Sequence, residues 1–230
     1  MSKWLEALVM ARPPRLLHQL LPGCEWTGPA TATAAPVLYL TFDDGPIPEE
    51  TPWVLEQLAE YHAKATFFCV GENVARYPEI ARAVRAAGHR LGHHTYHHIS
   101  AWQTRPADYL AEVRRGHAEL SRALSVDIQP GEAEALAGQP SLFRPPYGRL
   151  TRSLSAALRP DYRLIMWSVL TRDYDPHLPP EDCLRRTMAA VRPNDIVVFH
   201  DSRKASPRLR YVLPRLLAHC AARGYRFETL

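Results

Sequence analysis

At 230 residues, 46% hydrophobic and 23% charged, the chain has the composition of one globular domain, long enough to bury roughly 70% of its unfolded surface. A net charge of +4, with no run of five or more Lys or Arg, gives nucleic acid no continuous electrostatic footprint. Cys24, Cys69, Cys183 and Cys220 form no Cys-x-x-Cys pair, which argues against a disulfide framework, and the apolar stretch from Trp4 to Met10, interrupted by Glu6, is too short to span a bilayer and has no small-residue cleavage site. The expectation is a reduced, cytoplasmic protein without a membrane span.

Residues 1–36 are rich in Pro and Ala and lack sustained periodicity, so they read as a leader packed on the outside of a domain at 37–230, with a turn or two of helix near 16–21. An apolar, β-favouring run over 37–42 ends in Asp43, Asp44 and the turn pair Gly45-Pro46. Neighbours in an extended chain point to opposite sides, so the two acids need not share a role. Thr51 is placed to cap a helix with Pro52 at its first position, and Val54, Leu55, Leu58 and Tyr61 mark one face. A strand over 65–70 is followed by a helix over 72–87 that Gly88 stops, and a strand over 89–92 leads into His93, His94, His97 and His98. Pro106 opens a long helix with Leu110, Val113, His117, Leu120 and Leu124 at helical spacing, and 127–140 reads as an exposed loop. There follow a strand at 142–143, a helix over 151–158, a strand over 163–169, a helix over 181–191, a strand over 196–199, a helix over 209–222 and a strand over 225–229. Strands alternating with helices predict right-handed βαβ units and a parallel sheet, closed or nearly closed.

Five of the apolar runs end in a group able to bind metal, move a proton or hold a charge: Asp43 with Asp44, the histidine cluster, Arg144, Asp173 and His200. In a parallel barrel the strand C-terminal ends converge on one mouth, where the chemistry sits. The cluster allows two i,i+4 pairs, His93 with His97 and His94 with His98, and either suits a metal with Asp43 or Asp44 as third ligand and an open position for water. Taken singly, each residue has an ordinary reading, as a turn aspartate, a surface arginine or a core-edge histidine; turns alone explain the recurrence poorly. Two histidines and a carboxylate also suit an Fe(II) oxygenase, which leaves the second acid without a role. The chain has no Gly-x-Ser-x-Gly elbow and no Walker or dinucleotide fingerprint.

The run TFDDGP from Thr41, the histidine pair, RPPYG from Arg144, then Asp173, and VVFHD from Val197 resemble, in that order, the polysaccharide deacetylases of the NodB-homology type over about residues 37–229. The resemblance implies an α/β fold, a distorted or incomplete (β/α) barrel of about seven parallel strands in a single domain. It implies a metal-dependent hydrolase that removes N-acetyl or O-acetyl groups from a carbohydrate such as an N-acetylglucosamine-containing glycan. By position, Asp43 matches the catalytic base and Asp44 a metal ligand. Thr95 after His94 sets the register, so His94 and His98 match the other ligands. Arg144 matches the arginine that holds the base, the Tyr147 backbone N–H the oxyanion contact, and Asp173 the acid that tunes the catalytic histidine, His200. Zinc is the expected metal, with cobalt, manganese or nickel also compatible with the donors. The chain departs from the family's Asp-x-x-Asp-Trp pattern, with Leu170 at the first acid and Tyr174 at the tryptophan; Tyr174 still offers an aromatic face to a sugar. Leu170 leaves room for a catalytically silent carbohydrate-binding relative, and the lack of an evident export signal for a hydrolase of a small intracellular amide.

Overall fold

The computed structural model describes residues 10–14, 16–30, 35–125 and 140–230. Part of the predicted leader, and all of the predicted 127–140 loop except Pro140, lie outside these residues. The strands are β1 (Cys24–Glu25), β2 (Val37–Asp43), β3 (Ala65–Cys69), β4 (Arg90–His93), β5 (Ser141–Phe143), β6 (Tyr162–Ile165), β7 (Val169–Leu170), β8 (Ile196–His200) and β9 (Arg226–Phe227). Eight lie along one hydrogen-bonded path, β1-β6-β5-β4-β3-β2-β8-β7, with β9 paired to β2, and every ladder between strands is parallel. The helices are α1 (Leu16–Leu20), α2 (Thr51–Glu60), α3 (Gly71–Arg76), α4 (Pro78–Ala86), α5 (Pro106–Leu124), α6 (Arg152–Leu158), α7 (Pro180–Ala190) and α8 (Ser206–Ala221). This is a single α/β domain with a curled, incomplete barrel. No helix among the described residues is long and apolar enough to cross a membrane.

Alternation along the strands sorts side chains into two cores. Leu38, Leu40 and Phe42 of β2 join Val197 and Phe199 of β8 and residues of α2, α4, α7 and α8 in an outer core, where Phe42 stacks on Phe67 at 5.0 Å. Val37 and Tyr39 join Phe68, Leu142, Ile165, Ile196 and Val198 in a second core, on the opposite face of the strands. Every residue of β2 is buried, as expected of a central parallel strand with both faces covered. The inward parity of β2 runs on to Thr41 and Asp43, and that of β8 to His200.

Several boundaries differ from the sequence reading for identifiable reasons. The helix predicted over 72–87 is two, α3 and α4, because Pro78 has no N–H and restricts Tyr77 before it (ψ 55°). The strand predicted over 163–169 is also two: Met166, Trp167 and Ser168 cross the open seam of the barrel, so β6 and β7 lie far apart along the path. β1 is too short to show a period and was not predicted. It pairs with β6, Thr27 bridges to Asp195, and the Gly28 N–H donates to the Asn194 carbonyl at 2.9 Å, so residues 24–28 stitch the seam instead of lying outside it. Thr51 does not cap α2, whose N-cap is Glu50; its hydroxyl accepts from the Ile47 N–H (2.9 Å) and donates to Asp201 (2.6 Å).

Helix α5 packs directly on the backbone of the loop that carries the histidines. A Cβ added at Gly116 would lie 2.7 Å from the Thr95 carbonyl carbon and 2.8 Å from its oxygen. Gly116→Ala gains up to about 1 kcal/mol of helix propensity, whereas overpacking against immobile backbone costs about 1–3 kcal/mol. The expected net result is a lower denaturation midpoint; a variant more stable than the parent would show that this contact is slack.

Candidate active site

The inward parity of β2 and β8 delivers Asp43 and His200 to the barrel mouth; Arg144 stands two residues after the inward Leu142 at the end of β5, and His94 two after Gly92, the partner of inward Phe68, at the end of β4. Asp44 would face the other way if the chain stayed extended. Its φ of 84° breaks the alternation, and both acids line the same pocket. Thr95 (φ 63°), His98 (54°), Tyr147 (60°) and Arg172 (61°) are also left-handed; Asp44, His98 and Tyr147 line the pocket, and Thr95 and Arg172 are chain neighbours of His94 and Asp173. Such clustering of strained backbone is usual where a surrounding fold holds a functional geometry.

Asp43 is buried and ion-paired with Arg144, which is itself wholly inaccessible (Nη1 to Oδ1, 2.7 Å). The guanidinium also donates to the Thr41 hydroxyl at 2.7 Å and to the carbonyls of Met166 (2.9 Å) and Ile165 (3.4 Å), and lies over the Phe68 ring at 4.2 Å. Burial lowers the Arg144 pKa and the Asp43 charge opposes that. Every charge in this pair is therefore matched, and removing one partner would leave the other buried alone, which costs about 3–5 kcal/mol.

Ligand atoms of Asp44, His94 and His98 lie within 4.8 Å of one another. The His98 Nε2 is 3.4 Å from Asp44 Oδ1, and that oxygen is buried with no hydrogen-bond partner among the described residues. The His94 Nδ1 lies 2.6 Å from the Arg144 carbonyl, which fixes the ring and leaves Nε2 for the pocket. Burial keeps the His94 pKa well below its ordinary value, so the imidazole is the neutral form that a metal needs. One carboxylate and two imidazoles with an orphaned acceptor fit a divalent cation. His93, of opposite parity, stacks on Phe143 (4.8 Å) outside the barrel, and His97 pairs with Glu112 at 3.0 Å, so neither joins the cluster.

Asp173 is fully buried and grips His200 twice: Oδ2 accepts from the His200 backbone N–H (2.8 Å) and Oδ1 lies 2.7 Å from the ring Nδ1. Burial alone would lower the His200 pKa, but the charge and hydrogen bond of Asp173, helped by Asp44 and Asp43, prevail and raise it to about 9. Tyr174 packs edge-on against the His200 ring at 5.0 Å. Leu170 is a buried wall of the same pocket, whose volume is about 470 Å³, within the range of small-ligand sites. Tyr147 lies in the first turn of a 3-10 segment, Pro146–Gly148, where a backbone N–H has no intrahelical acceptor, and its ring is exposed 4.7 Å from that of His98.

Three supporting residues escaped the sequence reading. Trp167 lines the pocket and lies so close under Gly148 that a Cβ there would come within 2.3 Å of its ring. Arg208, buried in α8, donates to the Asp173 carbonyl. Asp201 pins the acid loop: its carboxylate accepts from the Gly45 N–H at 3.0 Å and from Thr51, and its N–H donates to the Asp43 carbonyl at 3.0 Å. Burial, the largest influence, raises the Asp201 pKa to about 8. Its place directly after His200 was the one signal available.

A sequence profile of the family described as polysaccharide deacetylase matches residues 30–163. A peptidoglycan-N-acetylglucosamine deacetylase of Bacillus cereus is 31% identical over 198 residues, covering 84% of this chain and 86% of its own. A chitooligosaccharide deacetylase of Sinorhizobium fredii is 36% identical over 183 residues, 76% of each chain. Among solved structures, the Bc1960 peptidoglycan N-acetylglucosamine deacetylase superimposes with a TM-score of 0.75 at 24% identity, over 94% of this chain and 93% of that one.

Proposed function

This chain belongs to the polysaccharide deacetylase family, hydrolases of carbon–nitrogen bonds other than peptide bonds, and from that premise we propose that it removes acetyl groups from an N-acetylglucosamine-containing glycan. The observation that carries the reading is that two charge pairs, Asp43–Arg144 and His200–Asp173, each put one member, Asp43 and His200, into the pocket lined by Asp44, His94 and His98. Those three side chains would hold the divalent metal, for which zinc is our assignment on donor chemistry. When bound, the metal supplies Lewis acidity, which lowers the pKa of a water and polarises the acetyl carbonyl.

The remaining steps belong to the chain. Asp43 takes a proton from the attacking water, and the charge-assisted hydrogen bond from Arg144 holds its carboxylate in place. The Tyr147 N–H donates to the oxyanion as the carbonyl carbon becomes tetrahedral. His200 donates the proton from its ring to the departing nitrogen, without which an amine is a poor leaving group. Tyr174 and Tyr147 present aromatic faces to the sugar.

Acetate release from N-acetylglucosamine oligomers, the monosaccharide and acetylated xylan, measured on metal-stripped protein with and without added zinc or cobalt, tests the reading. Metal-dependent acetate from the oligomers is expected; none from any substrate, with metal bound, would overturn it in favour of a silent binding protein.

The charge state of His200 gives a second expected outcome. An acid must be protonated, and the folded-state pKa is raised to about 9, so the donor is present through neutral pH and is lost as pH rises through that value. A cation beside Asp44 cancels part of the anionic support, which places the alkaline limb of kcat/KM at or below about 9. Asp173→Asn, which removes the main support, is expected to move that limb to lower pH; an unmoved limb would take His200 out of the role.

A further inference from the structure

Resting on the deacetylase reading, a second feature of the mouth bears on which glycan enters. Large apolar side chains are exposed at only four described positions, Met10, Leu16, Trp102 and Tyr147, and two of these flank a single cation. The Arg149 guanidinium lies 5.2 Å from the centre of the Tyr147 ring and 5.3 Å from that of Trp102, so His98, Tyr147, Arg149 and Trp102 form a row leading away from the metal-ligand cluster. The row is held in place. Gly148 (φ 62°) packs on Trp167, and the Trp102 indole N–H donates to the Leu150 carbonyl at 3.4 Å. Arg149 lines the pocket, yet among the described residues it has no carboxylate partner and its side chain makes no hydrogen bond; its Nε is buried without an acceptor. The half-buried Arg163 and the buried Arg144, by contrast, each have a carboxylate partner, Glu25 and Asp43.

Two exposed rings offer faces to the apolar side of sugar rings, and a neutral glycan would satisfy them. It would leave Arg149 as it is. A guanidinium stacked on aromatic faces keeps its in-plane N–H groups for a planar oxyanion, and carboxylate matches that fork. Lys204, which among the described residues has no carboxylate partner, lines the same pocket 5.7 Å from the Tyr174 ring and puts a second cation on the His200 side of the mouth. We propose that Arg149, between Tyr147 and Trp102, is a specificity-determining subsite that reads a carboxylate on the residue next to the acetylated sugar, and that the substrate is an anionic N-acetylglucosamine glycan, not a neutral one.

The test compares two tetrasaccharides of equal length on the zinc-loaded protein: neutral chitotetraose, and one in which N-acetylglucosamine alternates with N-acetylmuramic acid, whose lactyl group supplies the carboxylate. The parent is expected to show the higher kcat/KM on the anionic substrate, with the preference shrinking as salt is added. Arg149→Gln is expected to lower the anionic-to-neutral ratio about tenfold, Arg149→Lys to restore part of it, and Trp102→Ala to lower both substrates alike, because stacking does not read charge. A parent ratio at or below one, or a ratio unmoved by Arg149→Gln, overturns the proposal. If neither sugar yields acetate, the deacetylase reading fails instead. The dissociation constants of the same two sugars then decide the subsite: equal values overturn it, and an anionic preference lost in Arg149→Gln upholds it.

Discussion

Asp43→Asn is expected to cut acetate release on the order of a hundredfold or more while leaving the metal bound. The amide has nearly the shape of the carboxylate, and its oxygen still accepts from Arg144, but it cannot take a proton from water. Asp43 is not among the three side chains whose ligand atoms cluster, so metal content should stay stoichiometric. The fold pays separately, because Arg144 loses its counter-charge while wholly buried. The Thr41 hydroxyl and the carbonyls of Met166 and Ile165 still solvate the guanidinium, so the variant should fold with a lowered denaturation midpoint. Turnover, metal content and midpoint measured together separate these effects. Full turnover would remove Asp43 from the mechanism; turnover lost together with the metal would mean that Asp43 is itself a ligand.

The parts of the site legible in the sequence were those that follow strand parity. Val37, Tyr39, Thr41 and Asp43 share one face of β2, and Val198 and His200 one face of β8, so an apolar run ending in a polar group at inward parity points that group into the mouth. The same rule separates His94 from His93 once β4 is known to end at His93, a boundary that four apolar-poor residues did not disclose. What stayed hidden depends on backbone turns and on distant partners. Nothing in the composition of an Asp-Asp-Gly run requires the left-handed φ of Asp44. Trp167 read as one more residue of a continuous strand, whereas it sits in the crossing between β6 and β7, and Arg208 and Asp201 act through contacts that no local pattern encodes. The seam-closing β1 is two residues long, below any periodicity.

His94→Ala is expected to abolish stoichiometric metal binding, and with it acetate release. Loss of an outer partner of a metal ligand typically weakens binding 10–100-fold, and loss of one of three ligands should exceed that. Two neighbours supply the controls. His93 is fully buried, both its ring nitrogens lack partners among the described residues, and its ring stacks on Phe143. A phenylalanine there keeps the stack and removes two unsatisfied polar atoms, so His93→Phe should hold metal and lose no stability. His97 is tied to Glu112 through its ring and its backbone N–H, and His97→Ala should hold metal too. Equilibrium dialysis of the three variants against zinc reads the register directly. Metal retained in His94→Ala and lost in either of the others would assign the ligands to the alternative i,i+4 pair and leave the orphaned Asp44 oxygen unexplained.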